Sequence, residues 1–201
     1  MTNYIKEPEA NKIKILLKND GVVAFPTDTV WGIGCLPENQ KAIEKIYLLK
    51  SREIVKPLIL LGKDIESLLP YVEKFHENAE KIIKKYLPGA VTLVLKKTAL
   101  TPDYMASGFD TVGIRIPDCP PFLAFLDKCT ENGVLATTSA NISGEGSNIS
   151  KQEVIFTIGN KIDYILDDFG FKPKGTDSTV LSVNDSGEIK IFRQGTVKIE
   201  I

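Results

Sequence analysis

Apolar positions along the chain switch repeatedly between two spacings. Ile13, Leu16 and Leu17 lie at helical intervals, so the spacing predicts a helix over residues 8–20, with Gly21 as its stop. Residues 22–25 form a short apolar run that reads as a strand. Ala42, Ile43, Ile46, Tyr47 and Leu49 give residues 38–50 a broad inner face of a second helix. A buried-type strand over 57–62 follows. An amphipathic helix over 74–87 comes next, closed by Pro88 and Gly89. Strands are predicted over 90–96 and 111–116, a helix over 120–131 and a strand over 134–138. Ser150 with Glu153 three residues later forms a capping box that opens a helix to about Ile158. Strands over 163–166, 179–183 and 189–193 complete the pattern, the last two joined by a hairpin around residues 184–187. About eight strands with interleaved helices predict a single α/β domain over 1–201 with a twisted, mixed parallel and antiparallel sheet.

Length agrees with this picture, since 201 residues suit one large domain. The formal net charge of −1 means that attraction for phosphates must come from a local cluster of cations. The odd set Cys35, Cys119 and Cys129 contains no C-x-x-C pair, which argues against a disulfide framework or a zinc ribbon and for a reducing cytoplasm. No apolar run is long enough for a membrane helix, and residues 1–10 have no signal-peptide core.

Familiar catalytic signatures are missing. There is no phosphate-binding G-x-x-x-x-G-K-[ST], and neither Gly32-x-Gly34 nor Gly144-x-Gly146 completes a dinucleotide fingerprint. His76 is the only histidine and reads as a solvated residue on its helix, so a Ser-His-Asp triad is not expected. No set of metal ligands is expected either.

What recurs is an apolar strand followed by a loop of hydroxyls, glycines and isolated cations, in segments 26–34, 50–56, 111–115, 139–147 and 178–193. Thr27, Asp28 and Thr29 serve either a capped turn or a small ligand. Lys50, Arg52 and Lys56 either complement a helix C-terminus or bind an anion. In residues 111–116, Val112, Ile114 and Ile116 alternate with Thr111, Gly113 and Arg115. One face is core, and Arg115 on the other faces water or meets an anion, with Gly113 leaving room for a ligand. Residues 137–147 are either a flexible loop or an anion-binding nest. Together these strand ends suggest one polar cavity.

At these residues the chain resembles the YrdC-like family of threonylcarbamoyl-AMP synthases. The family patterns are P-T-[DE]-T-x-[YW]-G, K-x-R followed by [KN]-P-L, T-V-x-[IV]-R-[IVL]-P, S-A-N-x-S-G, S-T-V and R-x-G. Here they start at Pro26, Lys50 (with Lys56), Thr111, Ser139, Ser178 and Arg193, in the family's order. The resemblance implies one domain of the short form, a large positively charged cavity, and nucleotidyl transfer. L-threonine, bicarbonate or CO2, and ATP give threonylcarbamoyl-AMP and pyrophosphate, with Mg2+ accompanying ATP. The product would pass to a tRNA threonylcarbamoyl transferase complex acting at tRNA position 37.

Residue by residue, the resemblance assigns catalysis to Lys50, Arg52, Ser139 and Asn141. It assigns ATP to Arg52, Lys56, Thr111, Thr137, Ser139, Ser147 and Arg193, and threonine to Thr29, Arg115, and Ser178 or Thr179. Thr138 and Leu61 depart from the family: Thr138 stands where proline is common, and Leu61 where some members place a polar threonine contact. Two other classes remain open: an RNA-binding or ribosome-maturation module using the same cavity, and a carbamoyl-adenylate enzyme for another substrate. The densest basic pairs, Lys84–Lys85 and Lys96–Lys97, lack interleaved aromatics and argue against the first.

Overall fold

A computed structural model of the chain describes residues 4–50, 57–142 and 144–200. Its helices are α1 (Glu7–Lys18), α2 (Gln40–Leu49), α3 (Ile65–Leu68), α4 (Glu77–Tyr86), α5 (Asp103–Ala106), α6 (Pro120–Cys129) and α7 (Lys151–Ile158). The strands are β1 (Val23–Phe25), β2 (Gly32–Cys35), β3 (Ile59–Gly62), β4 (Val91–Lys96), β5 (Thr111–Arg115), β6 (Val134–Ser139), β7 (Tyr164–Ile165), β8 (Thr179–Val183) and β9 (Ile189–Arg193).

Among the described residues the nine strands make one sheet, ordered β7-β1-β2-β6-β3-β5-β4-β8-β9. The pairs β1·β7, β3·β5 and β4·β8 are parallel; the others are antiparallel. The mixed sheet expected from the strand and hairpin pattern is therefore present, with one strand more than the pattern suggested. That strand is β2, whose Gly-Ile-Gly-Cys sequence lacks the β-branched run that marks a strand. It pairs with β1 in the register Phe25↔Gly32, so residues 26–31 are the loop of a hairpin.

Local chemistry sets the element ends. Pro8 lies in the first turn of α1, which also carries Glu7 and Glu9 near its positive end. Gly21 donates to the Leu16 carbonyl at 3.0 Å, and a Cβ there would come within 2.2 Å of Leu16 Cδ2. Asn39 caps α2 by accepting from the Ala42 amide. Ser150 caps α7 through the Glu153 amide, but the capping box is not reciprocal, because the Glu153 carboxylate accepts from Ile149 N instead. His76 also departs from expectation. It is the N-cap of α4, its Nδ1 accepting from Asn78 N at 3.1 Å, and its ring closes over Gly187 in the β8–β9 hairpin. The helix accordingly starts three residues later than its amphipathic pattern suggests.

The sheet has two faces with two different covers. On one, Ile33, Cys35, Leu60, Leu93, Ile114, Ala136 and Leu181 pack with buried residues of α2 and α4. On the other, Val23, Phe25, Leu61 and Leu135 pack under α1 and α6, with the Phe25 and Phe122 rings stacked at 4.0 Å. This second cover ends near Leu61, and the sheet beyond it is open.

All three cysteines are buried and unpaired. Burial is the main cause that raises each thiol, and it pushes Cys119 and Cys129 up to about 12. At pH 8 those two thiols are held un-ionised, and the thiolate is the nucleophile. The native protein should therefore react negligibly with Ellman's reagent at pH 8, and all three thiols should react at once in guanidinium. A fast-reacting thiol in the folded protein would contradict this burial.

Candidate active site

Strand alternation builds the floor of the open face. Leu61 stands beside Arg115 and Ile59 opposite Thr137. Val94 pairs with Gly113, Val180 with Thr92, and Gly32 with Ser139. Side chains in register share a face, so these residues all look the same way. They line an open cavity of about 330 Å³ together with Thr27, Thr29, Thr111, Asp177, Ser178 and Arg193. That volume lies in the range of small-molecule sites. The face opposite Val112 and Ile114 is thus a cavity floor rather than a solvated surface.

Arg115 is the most enclosed cation of the wall. Its Nε donates to Gly89 O at 2.9 Å, Nη1 to Thr29 Oγ1 at 2.9 Å, and Nη2 to Asp28 Oδ1. Arg115 and Asp28 side chains are each 5 % exposed. Desolvation lowers the Arg115 pKa, and the facing Asp28 charge opposes that shift. Of the two readings open for Arg115, water or an anion, the anion is the protein's own Asp28.

The loop that holds Asp28 is fastened by Thr27. Its hydroxyl donates to Val30 O at 2.6 Å and accepts from the amides of Thr29 and Val30. The same loop anchors a second segment, since Lys174 N donates to Asp28 O and Gly175 N to Thr29 O. Gly175 has φ +76°, a conformation that favours glycine. Two residues later come Asp177 and Ser178. Arg193 donates from Nη1 to Asp177 at 3.1 Å, from Nε to Ser178 O at 3.1 Å and from Nη2 to Ser178 Oγ at 3.2 Å. The Arg193 and Asp177 side chains are 48 % and 45 % exposed, so this pair is open to solvent where Asp28–Arg115 is not. Ser178 Oγ also meets Thr92 Oγ1 at 2.8 Å.

Of the expected site residues, Thr29, Thr111, Arg115, Thr137, Ser139, Ser178 and Arg193 line the cavity. Lys50 and Asn141 do not; they stand behind Ser139. Lys50 Nζ donates to Ser139 O at 2.8 Å and Asn141 Oδ1 at 2.9 Å, and Ser139 Oγ donates to Asn141 Oδ1 at 2.6 Å. Asn141 Nδ2 reaches the carbonyls of Ile142 and Glu145, which folds the loop back on itself. Thr179 is not in the wall either. Its hydroxyl donates to Val197 O and accepts from Gly195 N, tying the C-terminal segment to β8. Ser147 is half-buried and outside the wall, while its neighbour Asn148 is bonded to Trp31, Ala140 and Thr157. Arg52 and Lys56 lie outside the described residues.

Gly113 lines the cavity floor, and a Cβ there would lie 2.8 Å from Ile59 Cγ2 and 3.1 Å from Thr92 Cγ2, two other residues of that floor. Both described arginines of the wall already face a carboxylate. Thr92 and Asp177 were not singled out from sequence, and Thr27 and Asp28 only as part of a capped turn or small-ligand loop. Asp28 and Thr27 carried a signal, their place beside Thr29 in a loop after a strand, whereas Thr92 reads as one more residue of an apolar strand.

Comparison with known proteins fits this geometry. The Sua5/YciO/YrdC family model, described as "Telomere recombination", matches residues 15–195. A putative threonylcarbamoyl-AMP synthase of Methanocaldococcus jannaschii is 36 % identical over 200 residues, covering 98 % of this chain and 92 % of that protein. Threonylcarbamoyl-AMP synthase of Bacillus subtilis is 37 % identical over 198 residues, covering 97 % of this chain and 56 % of that protein. The structure of Pyrococcus abyssi Sua5 complexed with L-threonine superposes with a TM-score of 0.86 at 31 % identity, over 95 % of this chain and 55 % of that one. The chain thus spans little more than half of the two longer relatives. With the match running from α1 to just past β9, and with every strand of the cavity floor inside it, this protein belongs to the Sua5/YciO/YrdC family.

Proposed function

We propose that the chain is a nucleotidyltransferase that makes L-threonylcarbamoyladenylate and pyrophosphate from L-threonine, bicarbonate or CO2, and ATP. The product would go to a tRNA threonylcarbamoyl transferase complex for position 37 of tRNA. The observation that carries this reading is the register: five segments separated in sequence bring Thr29, Thr111, Arg115, Ser139, Ser178 and Arg193 to one cavity. Relatives named threonylcarbamoyl-AMP synthase, 36 % and 37 % identical, support it.

In this reading the threonine carboxylate meets Arg115, and Thr29 and Ser178 take its polar groups. The threonine amine attacks CO2, losing a proton, and gives the carbamate. A carbamate oxygen then attacks the α-phosphorus of ATP, the bond to the bridging oxygen breaks, and pyrophosphate leaves. Arg193, Thr111, Thr137 and Ser139 stand toward ATP, with Arg52 and Lys56 assigned to it by motif. Lys50 and Asn141 act by holding Ser139. Thr179 and Ser147 serve the surrounding segments. No protein nucleophile is required, and rate comes from positioning and from offsetting anionic charge.

No group of three or more His, Cys, Asp or Glu among the described residues could hold a metal. Mg2+ would accompany ATP and offset phosphate charge, and Asp177 is the carboxylate among the described residues of the wall that could help to hold it. No helix among the described residues is long and apolar enough to cross a membrane. We place the reaction in the cytoplasm, which suits the unpaired thiols. A role in RNA binding is less well supported, because Lys84 faces Glu80, Lys96 faces Asp185 and Lys97 faces Asp103.

The direct test is mass spectrometry of a reaction containing ATP, Mg2+, bicarbonate and threonine, with serine as control. A threonine-dependent adenylate is expected, and its absence from active, folded protein overturns the assignment.

Two variants check the division of labour. Arg193→Ala should lower kcat/KM for ATP by about 10- to 100-fold, the effect of losing a hydrogen bond to a charged group. Arg115→Ala should raise the threonine KM more than the ATP KM. Equal rises would argue against carboxylate recognition by Arg115.

A further inference from the structure

Asp28 is buried and is not part of the cavity wall, yet it touches the wall's most enclosed cation. A guanidinium has five N–H donors. Arg115 commits one to Gly89 O, one to Thr29 Oγ1 and one to Asp28. One N–H on each terminal nitrogen is left, on a residue that lines the cavity.

Thr27 Oγ1 lies 2.6 Å from Val30 O, and a carbonyl only accepts, so Thr27 spends its single proton there. Its two lone pairs already face the amides of Thr29 and Val30, so the 3.0 Å contact with Thr29 does not claim the Thr29 proton. One lone pair of Thr29 Oγ1 receives Arg115 Nη1. Arg115 can therefore only donate to a ligand, and the Thr29 hydroxyl is held beside it by the same guanidinium.

This arrangement is lost if the guanidinium turns. Arg193 and Asp177 lie close enough to act on Arg115 electrostatically, Arg193 as a like charge and Asp177 as a competing carboxylate. We propose that Asp28 is a positioning residue of the site: its buried carboxylate holds Arg115 so that the remaining guanidinium N–H donors receive the ligand's carboxylate beside the Thr29 hydroxyl. This rests on the threonine-dependent reaction proposed above. The Asp28 backbone has a separate task, accepting from Lys174 N, which a side-chain substitution leaves in place.

The test compares Asp28→Asn with Asp28→Glu. Asn keeps the shape and removes the charge; Glu keeps the charge and adds a methylene. In the adenylate assay, Asp28→Asn should raise the threonine KM at least about tenfold while the ATP KM moves less than about threefold, because a buried cation has lost its counter-charge. Asp28→Glu should stay closer to wild type than Asp28→Asn. A packing role gives the reverse order, since the isosteric Asn would be silent and the larger Glu disruptive. That order, equal effects of the two variants, or a parallel rise in the ATP KM would each overturn the proposal.

A second readout does not depend on activity. The Arg115 Nε–H resonance, assigned with Arg115→Lys, should be protected from solvent exchange in wild type and Asp28→Glu and lose protection in Asp28→Asn. If wild type makes no threonine adenylate, the proposed reaction fails, and this resonance alone decides whether Asp28 positions Arg115. Unchanged protection in Asp28→Asn would show that it does not.

Discussion

A strand gives each side chain only two directions, and the whole site follows from how that choice is spent. Where the sheet is covered on both sides, β1 places Val23 and Phe25 under α1 and α6 and Ala24 against the opposite core. Toward β5, β4 and β8 the second cover is gone. Positions on that face no longer need to be apolar, and they carry Thr111, Arg115, Thr92 and Thr137 instead. Removing one helical layer converts a core face into a binding floor without changing the strands' pairing. Leu61 marks the boundary, packed in the α1–α6 core and also lining the cavity. An apolar residue there serves the core.

A floor lined by charge brings its own cost. A buried guanidinium without a counter-charge is strongly disfavoured, and removing one partner of a buried ion pair costs about 3–5 kcal/mol. The fold meets this with Asp28 behind Arg115. At the rim, Arg193 is about half exposed, and water shares the work with Asp177. The two arginines thus differ in what they can give up. Arg193 gives up Asp177 to another anion at smaller cost than Arg115 gives up Asp28, because water already screens the first pair and not the second.

Much of this was legible from residue order. The alternation of Val112, Ile114 and Ile116 with Thr111, Gly113 and Arg115 identified the two faces correctly, because period two is a geometric consequence of the strand. The β8–β9 hairpin was equally plain, with polar and glycine residues between two runs of β-formers. β2 was not, since Gly32 and Gly34 have no β-propensity of their own. They are small because Phe25 and β6 press against them, a Cβ at Gly32 falling 2.7 Å from Phe25 Cε2 and one at Gly34 2.8 Å from Ala136 O. Such tertiary contacts leave no periodic trace. His76 was hidden for a similar reason: a cap is defined by where the chain turns, and the amphipathic pattern runs through it.

Hydroxyl-rich loops pose the harder problem, because the sequence does not say which hydroxyls are already spoken for. Thr27, Thr137 and Thr179 each donate to a backbone carbonyl, of Val30, Ile59 and Val197. In each case the hydroxyl proton belongs to the fold. Ser178 differs from its neighbour Thr179 in facing the cavity, bonded only to other wall groups, Thr92 and Arg193. Its bonds can rearrange when a ligand enters, whereas breaking those of Thr179 would release the C-terminal segment from β8. Residue type marks both as candidates; only the destination of each proton separates the hydroxyl that holds the chain from the one left to meet a substrate.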